Sequence, residues 1–204
     1  QDIAGVRVLM LKMNQTAASP LHDKAVRNAV AHIINYDSMA KIIGNGSTPG
    51  AAPFPPSANL GYDTIANKAT TDVAKADQIL TQAGYAKNAN GVYAKDGKEL
   101  SLTLAVWGKD TSMYEEIQQE LKQAGINVTL KKLQSPDEVD TLGTDGFDLV
   151  ERNVITMSTN DPYWFLSLFY KSGAKANVGA YSNPQVDALI DQLSVTFDQN
   201  ERSN

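Results

Sequence analysis

Two hundred and four residues, 42% hydrophobic and 20% charged, are enough to bury a substantial core and too apolar for a disordered chain. A net charge of −5 without any basic stripe excludes a nucleic-acid footprint, and the lack of cysteine excludes disulfides, thiolate metal sites and cysteine nucleophiles. No apolar run approaches the ~20 residues of a membrane-spanning helix, and the opening QDIAGVRV does not read as a signal peptide.

GVRVLMLKMN (5–14) sets Val6, Val8 and Met10 against Arg7 and Lys12, with Leu9 and Leu11 blurring the alternation. That is the pattern of a strand buried in part on both faces. Ala25, Val26, Ala29, Val30, Ile33 and Ile34 then fall at helical spacing, with Asp23 supplying early negative charge. Asp37 is the expected cap of a second short helix that turns Met39, Ile42 and Ile43 inward. Residues 44–70 contain four prolines and four glycines, which rule out a regular element there. Phe54, Leu60, Tyr62 and Ile65 in the same stretch point to a long packed loop.

Asp72 opens a helix that ends at Ala83, with Gly84 in the stop position. GVYAKDGKELSLTLAVW reads as a hairpin turning at Asp96-Gly97 into a strong strand over 100–107. A helix over 111–124 follows, striped by Met113, Ile117, Leu121 and Ala124 and stopped by Gly125. A strand over 126–133 comes next, then a short helix opened by Ser135-Pro136 and a strand over 146–155. Asp161-Pro162 starts a helix running to about Tyr170, residues 171–183 form a loop, and Asn183-Pro184 starts a last helix over 186–197. Strand–helix–strand alternation between 100 and 155 implies crossover connections. The expected fold is α/β, a mixed, largely parallel sheet flanked by helices, in a single domain spanning 1–204.

Few residues offer reactive chemistry. Gly44–Gly50 follows a helix and lacks the Gly-Lys-Ser/Thr ending of a phosphate loop, so it reads as a plain turn. His22 and His32 lie on one helix about 15 Å apart by helical rise and cannot share a metal ion unaided. No G-x-S-x-G elbow is present. Glu115, Glu116 and Glu120, like Asp137, Glu138 and Asp140, read as solvated helix faces. The expectation is a protein that is not an enzyme and uses no cofactor or metal.

TMSTNDPYWFL (156–166) is different. It follows a strand of parallel type, and ligands of open α/β sheets bind beyond the carboxyl ends of strands. Thr156, Met157, Ser158, Thr159 and Asn160 carry no charge and offer hydroxyl and amide groups. The helix start adds backbone N–H groups, and Tyr163 and Trp164 add apolar area with a polar tip. The stretch is either a binding surface for a polar small molecule or a capped loop whose aromatics dock the helix. Arg152 and Asn153, just upstream, could contact a carboxylate or phosphate, or Arg152 could form an ordinary salt bridge.

Five segments together carry a resemblance. HDKAVRNAVAHIINYDSMAKIIGNGS, DVAKADQILTQAGY, IQQELKQAGINVTL, NDPYWFLSLFYKSG and YSNPQVDALIDQL are similar, in this order, to segments of the family 5 extracellular solute-binding proteins of ABC importers. The resemblance implies a type II periplasmic-binding-protein-like lobe, the second and C-terminal of two lobes that close on a ligand. By the same resemblance the partners are the first lobe of the same protein, an ABC permease in the membrane and a small-molecule ligand, with no nucleic acid. The location implied is extracellular or periplasmic, with a lipid attachment ahead of this chain. The strand and loop before Asp161-Pro162 would line the cleft, as would Asn14 at the end of the first strand. Asn177, in the loop after the helix, and Tyr181 join the expected ligand set, and Lys175 could pair with a chelator's carboxylate.

Departures leave the ligand open. Nickel-binding members carry Trp-x-x-x-Tyr ahead of Asp-Pro and a histidine after the helix, where this chain has Thr156, Asn160 and GAKAN (173–177). Dipeptide-binding members carry an aspartate where Ser158 stands. The resemblance therefore implies capture of a peptide, a nickel ion or a metal chelate. The alternative is a sensory ligand-binding domain of a transcriptional regulator built on the same lobe.

Overall fold

Alternation in RVLMLKM produces the first strand, β1 (Arg7–Met13), and the computed structural model describes residues 7–50, 52–54, 70–157 and 161–203. After a 3-10 turn at Pro20–His22, Asp23 caps α1 (Lys24–Ile33) by accepting the Ala25 N–H at 2.8 Å. α2 (Tyr36–Ile43) follows, and Gly44–Gly50 and residues 52–54 form neither helix nor strand. Residues 51 and 55–69 of the expected loop lie outside the described residues. Asp72 caps α3 (Val73–Gln82), and Gly84 has φ +88, a backbone state that suits glycine.

Three short antiparallel strands come next: β2 (Ala86–Lys87), β3 (Tyr93–Lys95) and β4 (Lys98–Glu99). Positive φ at Asp96 (53) and Gly97 (76) gives β3 and β4 the tight turn that the Asp-Gly pair announced. The hairpin does not run on into the strong strand. Leu100 breaks it, donating its N–H to Tyr93 O (2.7 Å) and accepting from Asn127 N (3.0 Å), and β5 (Ser101–Val106) starts anew in another sheet. α4 (Ser112–Ala124) crosses over to β6 (Asn127–Lys132), and a 3-10 turn at Pro136–Glu138 leads through α5 (Val139–Leu142) to β7 (Leu149–Ile155). α6 (Tyr163–Phe169), α7 (Pro184–Val195) and α8 (Gln199–Ser203) complete the described elements.

The main sheet has the order β1-β7-β5-β6. β5 lies between parallel neighbours, with Leu102 opposite Val128 and Leu104 opposite Leu149. This is the expected α/β class with a largely parallel, helix-flanked sheet. Met113, Ile117, Leu121 and Ala124 form the buried stripe of α4, as their spacing predicts. α1 and α3 pack together, and Val26, Val30, Ala76 and Leu80 on them are buried.

Along the chain, which reads from sequence as one domain, residues group into two compact units. One takes in Gln1–Met10, Gly50–Lys68 and Arg152–Asn204, the other Leu11–Pro49 and Ala69–Glu151. Several local expectations are corrected. Asn35, not Asp37, caps α2: its Oδ1 accepts the Ser38 N–H at 3.0 Å, and Asp37 falls inside the first turn. Ile42 on that helix is exposed, while Met39 is buried. Glu120, read as solvated, is half-buried and accepts the Asn35 N–H at 3.0 Å. The helix after Asp161-Pro162 begins at Tyr163, one residue later than a cap at Asp161 implies, and α8 has no counterpart in the sequence reading.

Candidate functional site

β7 carries the chain to the candidate site. Arg152 is half-buried, and Asn153 is exposed and accepts a hydrogen bond from Arg7 Nη1 on its carbonyl (3.1 Å). Thr156 is 0% exposed, and its hydroxyl has no hydrogen-bond partner among the described residues. Met157 is buried beside it. Ser158, Thr159 and Asn160 lie outside the described residues. A buried hydroxyl left without a partner is uncommon.

Asp161 forms the corner after this segment. Its Oδ1 accepts the Tyr163 N–H (2.8 Å), and both of its oxygens accept from Arg202 Nη2 (2.7 and 2.6 Å). The three aromatics that follow have different fates. Phe165 is fully buried, stacked on Phe169 at 5.0 Å and edge-on to Phe54 and Tyr170 at 5.6 Å. Tyr163 and Trp164 stay 38% and 41% exposed. The helix docks through one aromatic and presents two. α6 has seven residues and its first N–H is taken by Asp161, so it does not offer the open helix start that the sequence suggested.

The loop after α6 is held from inside. Asn177 donates from Nδ2 to the carbonyls of Lys171 (3.1 Å) and Tyr181 (2.7 Å) and accepts the Tyr181 N–H on Oδ1 (3.1 Å). It is a brace for residues 171–181. Tyr181 is half-buried with its ring 6.1 Å from Tyr170, whose hydroxyl pKa is pushed up to about 12, first by burial and then by Tyr181. Lys175 is exposed.

In the other unit, Asn14 is 1% exposed and its side chain is fully engaged. Nδ2 donates to the carbonyls of Thr144 and Phe147 (2.9 Å for Phe147), and Oδ1 accepts from the N–H (3.1 Å) and hydroxyl (2.9 Å) of Thr16. Asn14 therefore ties the end of β1 to the loop before β7. Sequence reasoning passed over a buried pair nearby. Tyr114, in the first turn of α4, donates its hydroxyl to the Glu151 carboxylate, and Glu151 is 6% exposed. Burial pushes the Glu151 pKa above the ordinary glutamate value, and the Tyr114 hydrogen bond offsets part of the rise. Burial, with help from Glu151, also raises the Tyr114 hydroxyl. Strand parity held the signal: Glu151 shares a face with the fully buried Leu149.

His22 and His32 each bond a backbone carbonyl through Nδ1, of Gln15 (2.9 Å) and Thr70 (2.7 Å). Among the described residues no three His, Asp or Glu side chains are grouped to hold a metal ion.

The chain is 28% identical over 208 residues to the nickel-binding protein NikA of Staphylococcus aureus, covering 98% of this chain and 39% of NikA. It is 28% identical to the probable D,D-dipeptide-binding periplasmic protein DdpA of Escherichia coli, covering 99% of this chain and 38% of DdpA. The fold superposes on the nickel ABC transporter structure from Bacillus halodurans with a TM-score of 0.83 at 26% identity, over 98% of this chain and 42% of the other. The chain thus spans about two fifths of the length of these relatives. The model of the bacterial extracellular solute-binding proteins, family 5 Middle, matches residues 1–177, and the chain belongs to that family.

Proposed function

We propose that this chain is a ligand-capturing part of the substrate-binding component of an ABC importer, working by binding and not by chemistry. The observation that carries the reading is the edge after β7. A buried, uncharged Thr156–Met157 step, whose hydroxyl has no partner among the described residues, precedes an Asp161 corner held by Arg202 and followed by exposed Tyr163 and Trp164. Relatives that bind nickel, a D,D-dipeptide and oligopeptides support it. The ligand is a peptide or a metal chelate such as the Ni(L-His)2 present in the NikA structure. Arg152, Asn153, Thr156, Met157, Ser158, Thr159, Asn160 and Tyr181 form the contact set, while Asn177 braces the loop that carries Tyr181 and Asn14 braces the loop before β7.

Further chain of the same protein supplies the facing lobe. Closure of the two lobes excludes water and strengthens each polar contact. The location is extracellular or periplasmic, with delivery to a membrane permease and anchoring through lipid. Calorimetric titration of the full-length protein with Ni(L-His)2, free Ni²⁺ and di- to pentapeptides tests the reading. Saturable binding of one class at micromolar concentration or below is expected; no heat with any of them would remove it.

A further inference from the structure

Arg202 lies 41 residues from the corner it holds. Its side chain is 10% exposed, and both terminal nitrogens are occupied. Nη1 donates to the carbonyls of Leu193 (2.8 Å) and Thr196, at the end of α7. Nη2 reaches a different element and takes both oxygens of Asp161. Asp161 Oδ1 is at the same time the acceptor for the first N–H of α6, at Tyr163. One carboxylate therefore joins the guanidinium to the start of the helix that presents Tyr163 and Trp164.

Stapling α8 onto α7 needs only the Nη1 bonds. The Nη2 pair adds nothing to that task, yet it is the ion-paired half of the arrangement. α8 itself is five residues long, begun by Asp198, whose Oδ1 accepts the N–H groups of Asn200 (2.9 Å) and Glu201 (3.1 Å). So short a helix has little stability of its own. Its placement delivers the guanidinium to Asp161.

We propose that Arg202 is a positioning residue for the ligand surface. It fixes Asp161, and through Asp161 it sets where α6 begins and how Tyr163 and Trp164 are presented. It touches no ligand. The proposal rests on the capture reading above and extends the functional set beyond residue 177, where the family match ends.

The test uses Arg202→Gln, Arg202→Lys and Asp161→Asn in the full-length protein, with two readouts. Calorimetric titration with Ni(L-His)2 and with trialanine gives affinity, and amide hydrogen exchange gives local order. Arg202→Gln and Asp161→Asn are expected to weaken whichever probe the wild type binds by about tenfold, and Arg202→Gln to speed exchange at the Tyr163 amide. Arg202→Lys keeps a cation for Asp161 and is expected to recover most of the affinity, though not protection of α8. A residue that only staples α8 gives the reverse: faster exchange in α8, with affinity within twofold of wild type in both charge-removing variants. That result overturns the proposal. Should the wild type bind neither probe, the capture reading fails only if free Ni²⁺ and the other di- to pentapeptides also give no heat. Exchange then decides: unchanged protection at Tyr163 in Arg202→Gln overturns the positioning role, and faster exchange there supports it.

Discussion

Glu151 is a carboxylate inside the protein, hydrogen-bonded by Tyr114, with its pKa raised by burial. In the unfolded chain it titrates near 4.5, and in the folded chain burial raises that value. Folding therefore favours the protonated side chain. The stabilising contribution is complete below the unfolded value and is lost as pH rises through the folded one. Glu151→Gln keeps an acceptor for Tyr114 and removes the charge. We expect thermal melts to show a higher Tm at pH 7, by about 2–4 °C for each kcal/mol regained, with the gain shrinking towards pH 4. A lower Tm at pH 7 would mean that the ionised form has a counter-charge. Asn14 makes the opposite case. Asn14→Ala would leave the Thr144 and Phe147 carbonyls and the Thr16 N–H without their partner, at a cost of about 3 kcal/mol in urea denaturation. Sequence could not separate this brace, or Asn177, from a ligand contact. An amide at a loop entry looks the same whether it faces a ligand or its own backbone, and only the position of the carbonyls decides.

At the scale of elements, long periodic stretches were readable and their edges were not. α1, α3 and α4 appear where their apolar spacing puts them. Asn35 and Asp37 are both good caps two residues apart, and spacing cannot choose between them. Asn35 holds the extended backbone, φ −87 and ψ 97, that precedes the helix. Asn35→Ala is therefore expected to cost about 1 kcal/mol and Asp37→Ala only a few tenths, a contrast that paired denaturation curves would resolve. Gly125, by contrast, was legible as a stop but not as a contact. It sits at φ +103, and an added Cβ would lie 2.6 Å from the Gly91 carbonyl oxygen. Gly125→Ala should lose about 2–3 kcal/mol, more than the backbone preference alone accounts for, because the hairpin carrying Gly91 must move. The break at Leu100 escaped the sequence because β4 and β5 are contiguous in hydropathy. Their separation depends on which neighbour each strand finds. α8 escaped because five residues are too few to show a period.

Over the whole molecule, the parallel sheet was inferable from the order of strands and helices. That β7 lies between β1 and β5 was not, since order along a chain leaves insertion between earlier strands open. The division into two units was equally hidden. Its outer boundaries, after Met10 and Glu151, fall inside β1 and β7, where composition does not change. Leu189, Val195 and Phe197 are exposed on this chain, Phe197 at 85%. Phe197→Ser should lower binding of an apolar dye to the isolated chain and shift its stability by no more than ~0.5 kcal/mol.

The interleaving of the two units has a kinetic consequence. The chain passes from one to the other after residues 10, 49, 68 and 151, so neither is spelled by an uninterrupted stretch. On the ribosome, β5 and β6 can emerge and pair only with each other until β7 arrives to fill the place beside β5. At synthesis rates of about 5–20 residues per second, that leaves seconds in which an unfilled sheet edge is open to other chains. Delayed completion of this kind favours a holding chaperone, or export before folding.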